Sequence, residues 1–405
     1  VTFTLNEEEF IVFDGPKINY STRTLTGAFH ITPCGILDAR GWQPVLPVLM
    51  KYKELQVIFR TECDMGFDVL GAAFWMLTRH EEYVGSQNNE IIDKHGRFSA
   101  TGCLMVKAEQ QNTAWTDRWI LALRSALTEK WPQLICISRK SSILATIDVD
   151  NAFAFLGKGF KRNMGGLLKD AMKFRIFFER FSVLCGIRKD PYDSWEYIEK
   201  MRQKHGKPFI FFFLLADYAA FDKNVHYESA RLKQLIYKLQ TLNTIGIHPG
   251  YQSFGDGLKT EAEIARLAGI TGNRVEHSRQ HFLRVRMPLT YRILSKAEVQ
   301  NDYSIGFAEI TGFRAGTCHP FTVYDLELDR DTLVVAHPFA FMDGTLNEYM
   351  KLSPQEAIEK VQSLWREVQH CEGKLIGIWH NDTLAEVRHW KNWRQLFEAF
   401  LAIED

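Results

Sequence analysis

The run Thr146-Ile147-Asp148-Val149-Asp150-Asn151 sets two carboxylates at i and i+2 directly after an apolar stretch. Leaving a strand at that spacing, they point to the same side if the strand continues, and a turn can separate their roles. One can bind a metal while its neighbour takes a proton from water, and like-charge proximity helps to tune the pair. Aspartates at a strand end can also cap the following helix.

Gly246-Ile247-His248-Pro249-Gly250-Tyr251-Gln252 ends a second apolar run on a histidine beside a Pro-Gly turn. A neutral imidazole is the commonest ligand for zinc and similar ions, although a lone histidine is more often packed or hydrogen-bonded. Glu276-His277-Ser278-Arg279-Gln280-His281 offers two more histidines at i and i+4. They share a face if helical, whereas in a bent extended run only one points inward. Gly312-Phe313-Arg314-Ala315-Gly316-Thr317 holds an arginine between glycines, able to grip a catalytic carboxylate or a developing oxyanion, or to form a structural ion pair. Ile376-Gly377-Ile378-Trp379-His380-Asn381 ends a buried strand on a histidine suited to general acid work, or simply a core histidine.

The elements that position these residues follow from hydrophobic periodicity. Strand-like stretches occur at 143–147, 208–215, 244–247, 273–275, 332–336 and 374–379, separated by helical patterns, and lead to polar or ionisable residues. Alternating βα units predict a parallel arrangement, and ionisable ends on six strands point to a barrel with its chemistry at the strand C-terminal ends. Residues 1–138 read differently, as a smaller mixed α/β domain with a strand at Phe10–Phe13, a buried helix at Phe67–Thr78 and another from Trp115 to Leu127. The boundary falls between Trp131 and Ser142, making 139–405 the second domain.

Taken in order, Asp-x-Asp, His-Pro-Gly-Tyr, Gly-Phe-Arg and Ile-Trp-His resemble the motifs of the NodB-homology polysaccharide deacetylases, of carbohydrate esterase type. A bacterial branch with an extra N-terminal domain is more similar still, through Leu77–Tyr83, Asp93–Phe98, Ser278–Leu283, Gly312–Thr317 and Met342–Leu346. The resemblance implies an incomplete (β/α) barrel, preceded here by the mixed α/β domain. It implies a hydrolase that removes an N- or O-acyl group from a carbohydrate with a metal-activated water. Asp148 would be the base, Asp150 and His248 metal ligands, Arg314 the group orienting the base, and His380 the acid. The metal would be divalent, zinc first, with cobalt, nickel, iron or manganese as alternatives.

This chain departs from the family pattern at three points. Its Asp pair is split by Val149, the second histidine of His-x-x-x-His falls at Gln252, and the Asp-x-x-Asp-Trp motif is not recognisable. His281 is the expected third ligand, and Asp148 the alternative ligand if Val149 displaces Asp150. Tyr251, Asp217, His337 and Asp343 are secondary candidates for the substrate pocket, and His319 stands in a similar strand-end position. Two other readings remain: a non-catalytic carbohydrate-binding or assembly protein on the same barrel, and a C–N hydrolase of small amides.

The 405 residues carry 49 Lys plus Arg against 49 Asp plus Glu, so no global field recruits nucleic acid or an acidic membrane. No apolar run approaches the roughly 18 residues of a membrane span. The N-terminal residues show neither the basic nor the apolar region of a signal peptide. Seven scattered cysteines without CxxC pairs suggest reduced thiols and a cytoplasmic protein. His80-Glu81-Glu82-Tyr83 lacks the second histidine of a zincin and reads as structural. Lys158–Lys189, rich in basic residues and phenylalanine, reads first as an amphipathic helix with a solvated basic face, and otherwise as a lid or a groove for an anionic glycan.

Overall fold

The computed structural model describes residues 2–85, 91–170 and 172–404. The N-terminal part contains α1 (Glu7–Val12), β1 (Ile18–Tyr20), β2 (Phe29–Ile31), β3 (Met50–Tyr52), β4 (Leu55–Val57), α2 (Val69–Leu77), α3 (His80–Gly85), α4 (Leu104–Lys107) and α5 (Trp115–Lys130). The strand expected at Phe10–Phe13 is instead the end of α1 and its cap. Asn6 accepts hydrogen bonds from the Glu8 and Glu9 amides, and Glu7, Glu8 and Glu9 fill the first turn, where the helix dipole favours acids.

The second part is built on a sheet of nine strands: β5 (Ser142–Val149), β6 (Phe209–Phe213), β7 (Thr244–Ile247), β8 (His277–Ser278), β9 (Asn301–Asp302), β10 (Phe321–Asp325), β11 (Arg330–Ala336), β12 (Phe341–Met342) and β13 (Lys374–His380). Their order is β10-β11-β9-β8-β7-β6-β5-β13-β12, and every pair is parallel except β10 with β11. Strands β10 and β12 do not pair with each other among the described residues, so the sheet has a seam where a closed barrel would have none. The strand expected at 273–275 starts later, at His277, because the ladder to β7 and β9 runs through His277 and Ser278.

Period-two alternation decides what each strand offers to its two faces. On β6, Phe209, Phe211 and Phe213 enter the large core beneath the helices, while Ile210 and Phe212 join a smaller core on the opposite face with Ile376 and Ile378 of β13. Strand β5 divides likewise: Ala145, Ile147 and Val149 enter the large core. Thr146 and Asp148 pair in register with Ile210 and Phe212, on the face of the smaller core. Register also makes Asp148 the partner of His380 across β5 and β13.

Helices α6 (Phe160–Asp170), α7 (Phe174–Leu184) and α8 (Trp195–His205) lie between β5 and β6, and α9 (Ala230–Leu239) links β6 to β7. Helices α10 (Gly257–Thr271), α11 (Leu289–Lys296), α12 (Pro354–His370) and α13 (Arg394–Leu401) follow along the chain. The α12 start shows why these helices form where they do. Ser353 and Glu356 make a reciprocal capping box, and Pro354 fills the first turn, where its missing N–H costs nothing.

A further core around Phe67, Trp75, Trp115 and Trp119 of the N-terminal part also takes in Phe307 of the second part. Polar bonds tie the N-terminal part to the second part. The Asp117 carboxylate accepts from Thr317 Oγ1 at 2.6 Å and from the Cys318 amide at 2.8 Å, and Arg118 Nε donates to Glu367 at 2.8 Å. All seven cysteines are free thiols. No helix among the described residues is long and apolar enough to cross a membrane.

Candidate metal centre

Three side chains converge beyond the C-terminal ends of β5, β7 and β8. Asp150 Oδ1 lies 3.2 Å from His248 Nε2, and Asp150 Oδ2 lies 3.5 Å from His281 Nε2. One ligand atom from each of the three falls within 4.8 Å of the others. Both imidazoles are fixed through their other nitrogen: His248 Nδ1 donates to the Arg279 carbonyl, and His281 Nδ1 donates to Asp222 Oδ1 at 2.9 Å. With Nδ1 committed, Nε2 of each ring is the nitrogen turned to the centre.

These residues fit a divalent cation. Asp150 Oδ1 is buried and accepts no hydrogen bond, although His248 Nε2 stands close by. Burial would lower the His281 pKa, but the carboxylates of Asp150 and Asp222 raise it to about 9, so a cation bound at Nε2 would take the place of a proton. Burial would conversely raise the Asp150 pKa, but His281 and His248 hold it well below the usual carboxylate range. An anionic carboxylate with two imidazole nitrogens is a donor set for zinc or a similar ion.

Asp148 sits beside this group, almost wholly buried. Its Oδ2 lies 3.7 Å from His248 Nε2, and its Oδ1 is held by Arg279 Nη1 at 3.1 Å. Arg279 is itself buried and spans the sheet: Nη1 also donates to Thr146 Oγ1 at 2.7 Å, and Nε donates to the Tyr303 carbonyl at 3.0 Å. The guanidinium beside Asp148 therefore belongs to Arg279 and not to Arg314, the arginine expected there. Arg314 gives Nε and Nη2 to the buried Glu82 carboxylate at 2.9 and 2.6 Å, and Nη1 to the Gly306 carbonyl. Glu82 also accepts from Arg79 at 2.8 Å, so Arg314 closes a buried three-residue network between the two parts of the chain.

On the far side of Asp148, His380 Nδ1 donates to Asp343 Oδ1 at 2.8 Å, and its amide donates to Asp343 Oδ2 at 2.8 Å. Burial disfavours a charged His380, but Asp343 first, then Asp150 and Asp148, raise its pKa well above the ordinary histidine value. Asp382 is close enough to sense the same charges. Burial, opposed by His380 and reinforced by Asp150 and Asp343, pushes its carboxyl up to about 6.

The remaining candidates scatter. Tyr251 lies in an aromatic group with Phe221 (ring centroids 4.3 Å) and Phe282 (5.2 Å), its hydroxyl 3.2 Å from His95 Nδ1. Phe282 packs edge-on to His281 at 4.8 Å, so this wall adjoins the centre. Asp217 is exposed and pairs with Arg266 at 2.9 Å. His337 donates from Nε2 to Asn301 Oδ1 at 2.9 Å and stacks on Tyr303, with no contact to the three converging residues. His319 Nε2 donates to the Cys371 carbonyl. Gln252 has an exposed side chain, and its backbone N–H donates to Asp222 Oδ2 at 3.3 Å.

Two groups escaped the sequence reading. Arg279 stands inside the Ser278-Arg279-Gln280-His281 run, and its position one residue past a strand is the available signal. Asp222 lies in an irregular loop 59 residues before its histidine, and no local pattern marks it.

Comparison with known proteins gives little beyond this geometry. Residues 1–132 match the model of a family of unknown function (DUF7033). No curated protein matches the sequence. Among solved structures, one assigned as a polysaccharide deacetylase from Mycobacterium smegmatis aligns at a TM-score of 0.44 and 14% identity, over 67% of this chain and 87% of its own. A polysaccharide deacetylase from Bacillus cereus aligns at 0.30 and 10%, over 63% and 87%. A 7,8-dihydropteroate synthase from Vibrio fischeri ES114 aligns at 0.30 and 10%, over 66% and 96%. At these TM-scores the likeness assigns no chemistry to this chain, which rests on its own side chains.

Proposed function

We propose that this protein is a metal-dependent hydrolase that removes an acyl group, N-acetyl in the leading case, from a carbohydrate. The observation that carries the reading is the convergence of Asp150, His248 and His281, with Asp148 and His380 flanking it as register partners. A divalent ion held by those three residues would polarise the acyl carbonyl and make water more acidic.

The chain's own groups do the rest. Arg279 occupies Asp148 Oδ1, leaving Oδ2 to take the proton from the attacking water. His380, protonated and held through Nδ1 by Asp343, delivers a proton from Nε2 to the leaving amine. Balanced, water and amide become carboxylic acid and amine. The aromatic wall of Phe221, Tyr251 and Phe282 supports a sugar substrate, because it adjoins His281 through Phe282, leaves Phe221 44% exposed, and aromatic rings suit the apolar face of a pyranose. The presence of both a base and an acid favours turnover over the binding-only reading.

The test is metal stoichiometry and acetyl release together. Wild type should carry about one ion per chain, and Asp150→Ala or His248→Ala should lose it. Chitooligosaccharides and a panel of cyclic amides, assayed after chelation and after adding back Zn, Co, Ni, Fe or Mn, identify the substrate class. Stoichiometric metal retained in both variants would refute the site, and amide turnover without acetyl release would move the assignment to small-molecule C–N bonds.

A further inference from the structure

The hairpin of α6 and α7 presents an apolar stripe to solvent. On α6, Phe160 (80% exposed), Met164 and Leu168 (74%) recur at i, i+4 and i+8. On α7, Phe174 (72%), Phe178 (62%) and Phe181 recur at i, i+4 and i+7. Such spacing ordinarily marks the face a helix buries, yet here it is the outward face. Met172 at the turn is 93% exposed. Scattered exposed apolar residues are normal on any protein, whereas an exposed stripe at helical spacing on each of two consecutive helices is not.

The same segment concentrates positive charge. Nine lysines and arginines lie between Lys158 and Lys189 against Asp170 and Glu179, in a chain whose formal net charge is zero. Asp170 is taken up by Arg180 at 2.8 Å. Lys161, Lys169, Lys173 and Arg175 are exposed and form no ion pair among the described residues. The expectation of a solvated basic face thus captures half of the hairpin. Lys161, Lys169, Lys173 and Arg175 are solvated, but the apolar stripe is solvated too.

We propose that the α6–α7 hairpin is a docking face for an anionic phospholipid bilayer, its phenylalanines and leucine entering the headgroup boundary while lysines and arginines meet the phosphates. Phe and Leu flanked by Lys and Arg on a short amphipathic helix suit that environment, and charge complementarity selects the occupant. A second copy of this chain docked face to face would bring two strongly positive hairpins together, which like-charge repulsion opposes. The hairpin is continuous with the rim of the metal centre. Arg162 donates to the Asn224 and Lys223 carbonyls, next to Asp222, and the Arg180 guanidinium lies 4.6 Å over Phe155 in the loop that follows Asp150. Docking would therefore bring the mouth of the centre toward the lipid surface, whatever reaction occurs there.

The experiment is sedimentation of the full chain with sucrose-loaded vesicles of phosphatidylcholine alone or with phosphatidylglycerol, at low and high salt. Wild type should partition at least about tenfold more strongly onto the phosphatidylglycerol vesicles at low salt. Phe174→Ser/Phe178→Ser should abolish pelleting, and Lys169→Glu/Lys173→Glu/Arg175→Glu should abolish the lipid preference, with circular dichroism and metal content unchanged. Equal partition of wild type onto the two vesicle types overturns the proposal without recourse to any variant. So does a salt-insensitive dimer, seen by ultracentrifugation and dissolved by Phe178→Ser, with no vesicle binding.

Discussion

Arg279 and Arg314 offer the sharpest test of how the centre is organised, because each is a buried arginine on a buried carboxylate and one adjoins the chemistry. Replacing Arg279 by Gln removes a guanidinium 3.1 Å from Asp148. At an effective dielectric of about 20, the direct attraction at that distance is about 5 kcal/mol. Since desolvation offsets much of it, the cost is better taken from cases in which one partner of a buried pair is removed, roughly 3–5 kcal/mol. The bonds from Arg279 to Thr146 and Tyr303 are lost as well. Thermal unfolding should therefore fall by several degrees. Acetyl release should fall by about 10²–10⁴-fold in kcat, because the base loses the group that fixes it. Arg314→Gln should destabilise less, since Glu82 keeps Arg79 at 2.8 Å. Its folded fraction should retain metal and kcat. Thermal melts, metal content and initial rates on the same preparations separate the two. An Arg279→Gln protein with full kcat, beside a folded Arg314→Gln protein without it, would refute the assignment of Arg279 to Asp148.

Three further outcomes follow from the contacts. Asp222→Asn removes the carboxylate that orients His281 and should weaken metal affinity by about 10–100-fold in chelator competition, with the overall fold kept. His380→Ala should lower kcat by about 10²–10⁴-fold while metal content stays at the wild-type level, since His380 is not among the three converging ligands. His337 supplies a pH test unconnected with catalysis. Burial, with Lys374 and His277 nearby, lowers its pKa to about 4 in the folded chain, against about 6.5 when unfolded. The unfolded chain thus binds the extra proton first, so His337 contributes stability fully present above pH 6.5 and lost as the pH falls toward 4. The whole effect is roughly 3 kcal/mol. Denaturant midpoints measured from pH 7 to pH 4 should lose part of their slope in His337→Gln, and an unchanged slope would remove His337 as its source.

Local patterning made much of the candidate centre legible. Asp148, Asp150, His248 and His380 each follow an apolar run whose alternation is set by near neighbours, so their place at strand ends could be read before any tertiary contact was known. His281 stood out for the same reason, as an ionisable residue just past a short extended run. The strand at Phe10–Phe13 failed because an apolar quartet does not reveal the helix that Asn6 nucleates ahead of it.

What the tertiary structure decided are the pairings between distant segments. Which of two arginines reaches Asp148 depends on the stacking of β5, β6, β7 and β8, which carries Arg279 across 131 residues of sequence to its partner and leaves Arg314 with Glu82. Asp222 acquires its role only because an irregular loop closes over His281. The α6–α7 stripe has the periodicity of a buried face, yet no element among the described residues covers it. The Asp-x-Asp pair and the strand-end histidines are thus properties of the chain, since period and turn chemistry act over a few residues. The groups that fix those histidines and hold Asp148 are properties of the fold, since hydrogen bonds across a sheet are set by register between strands far apart in sequence.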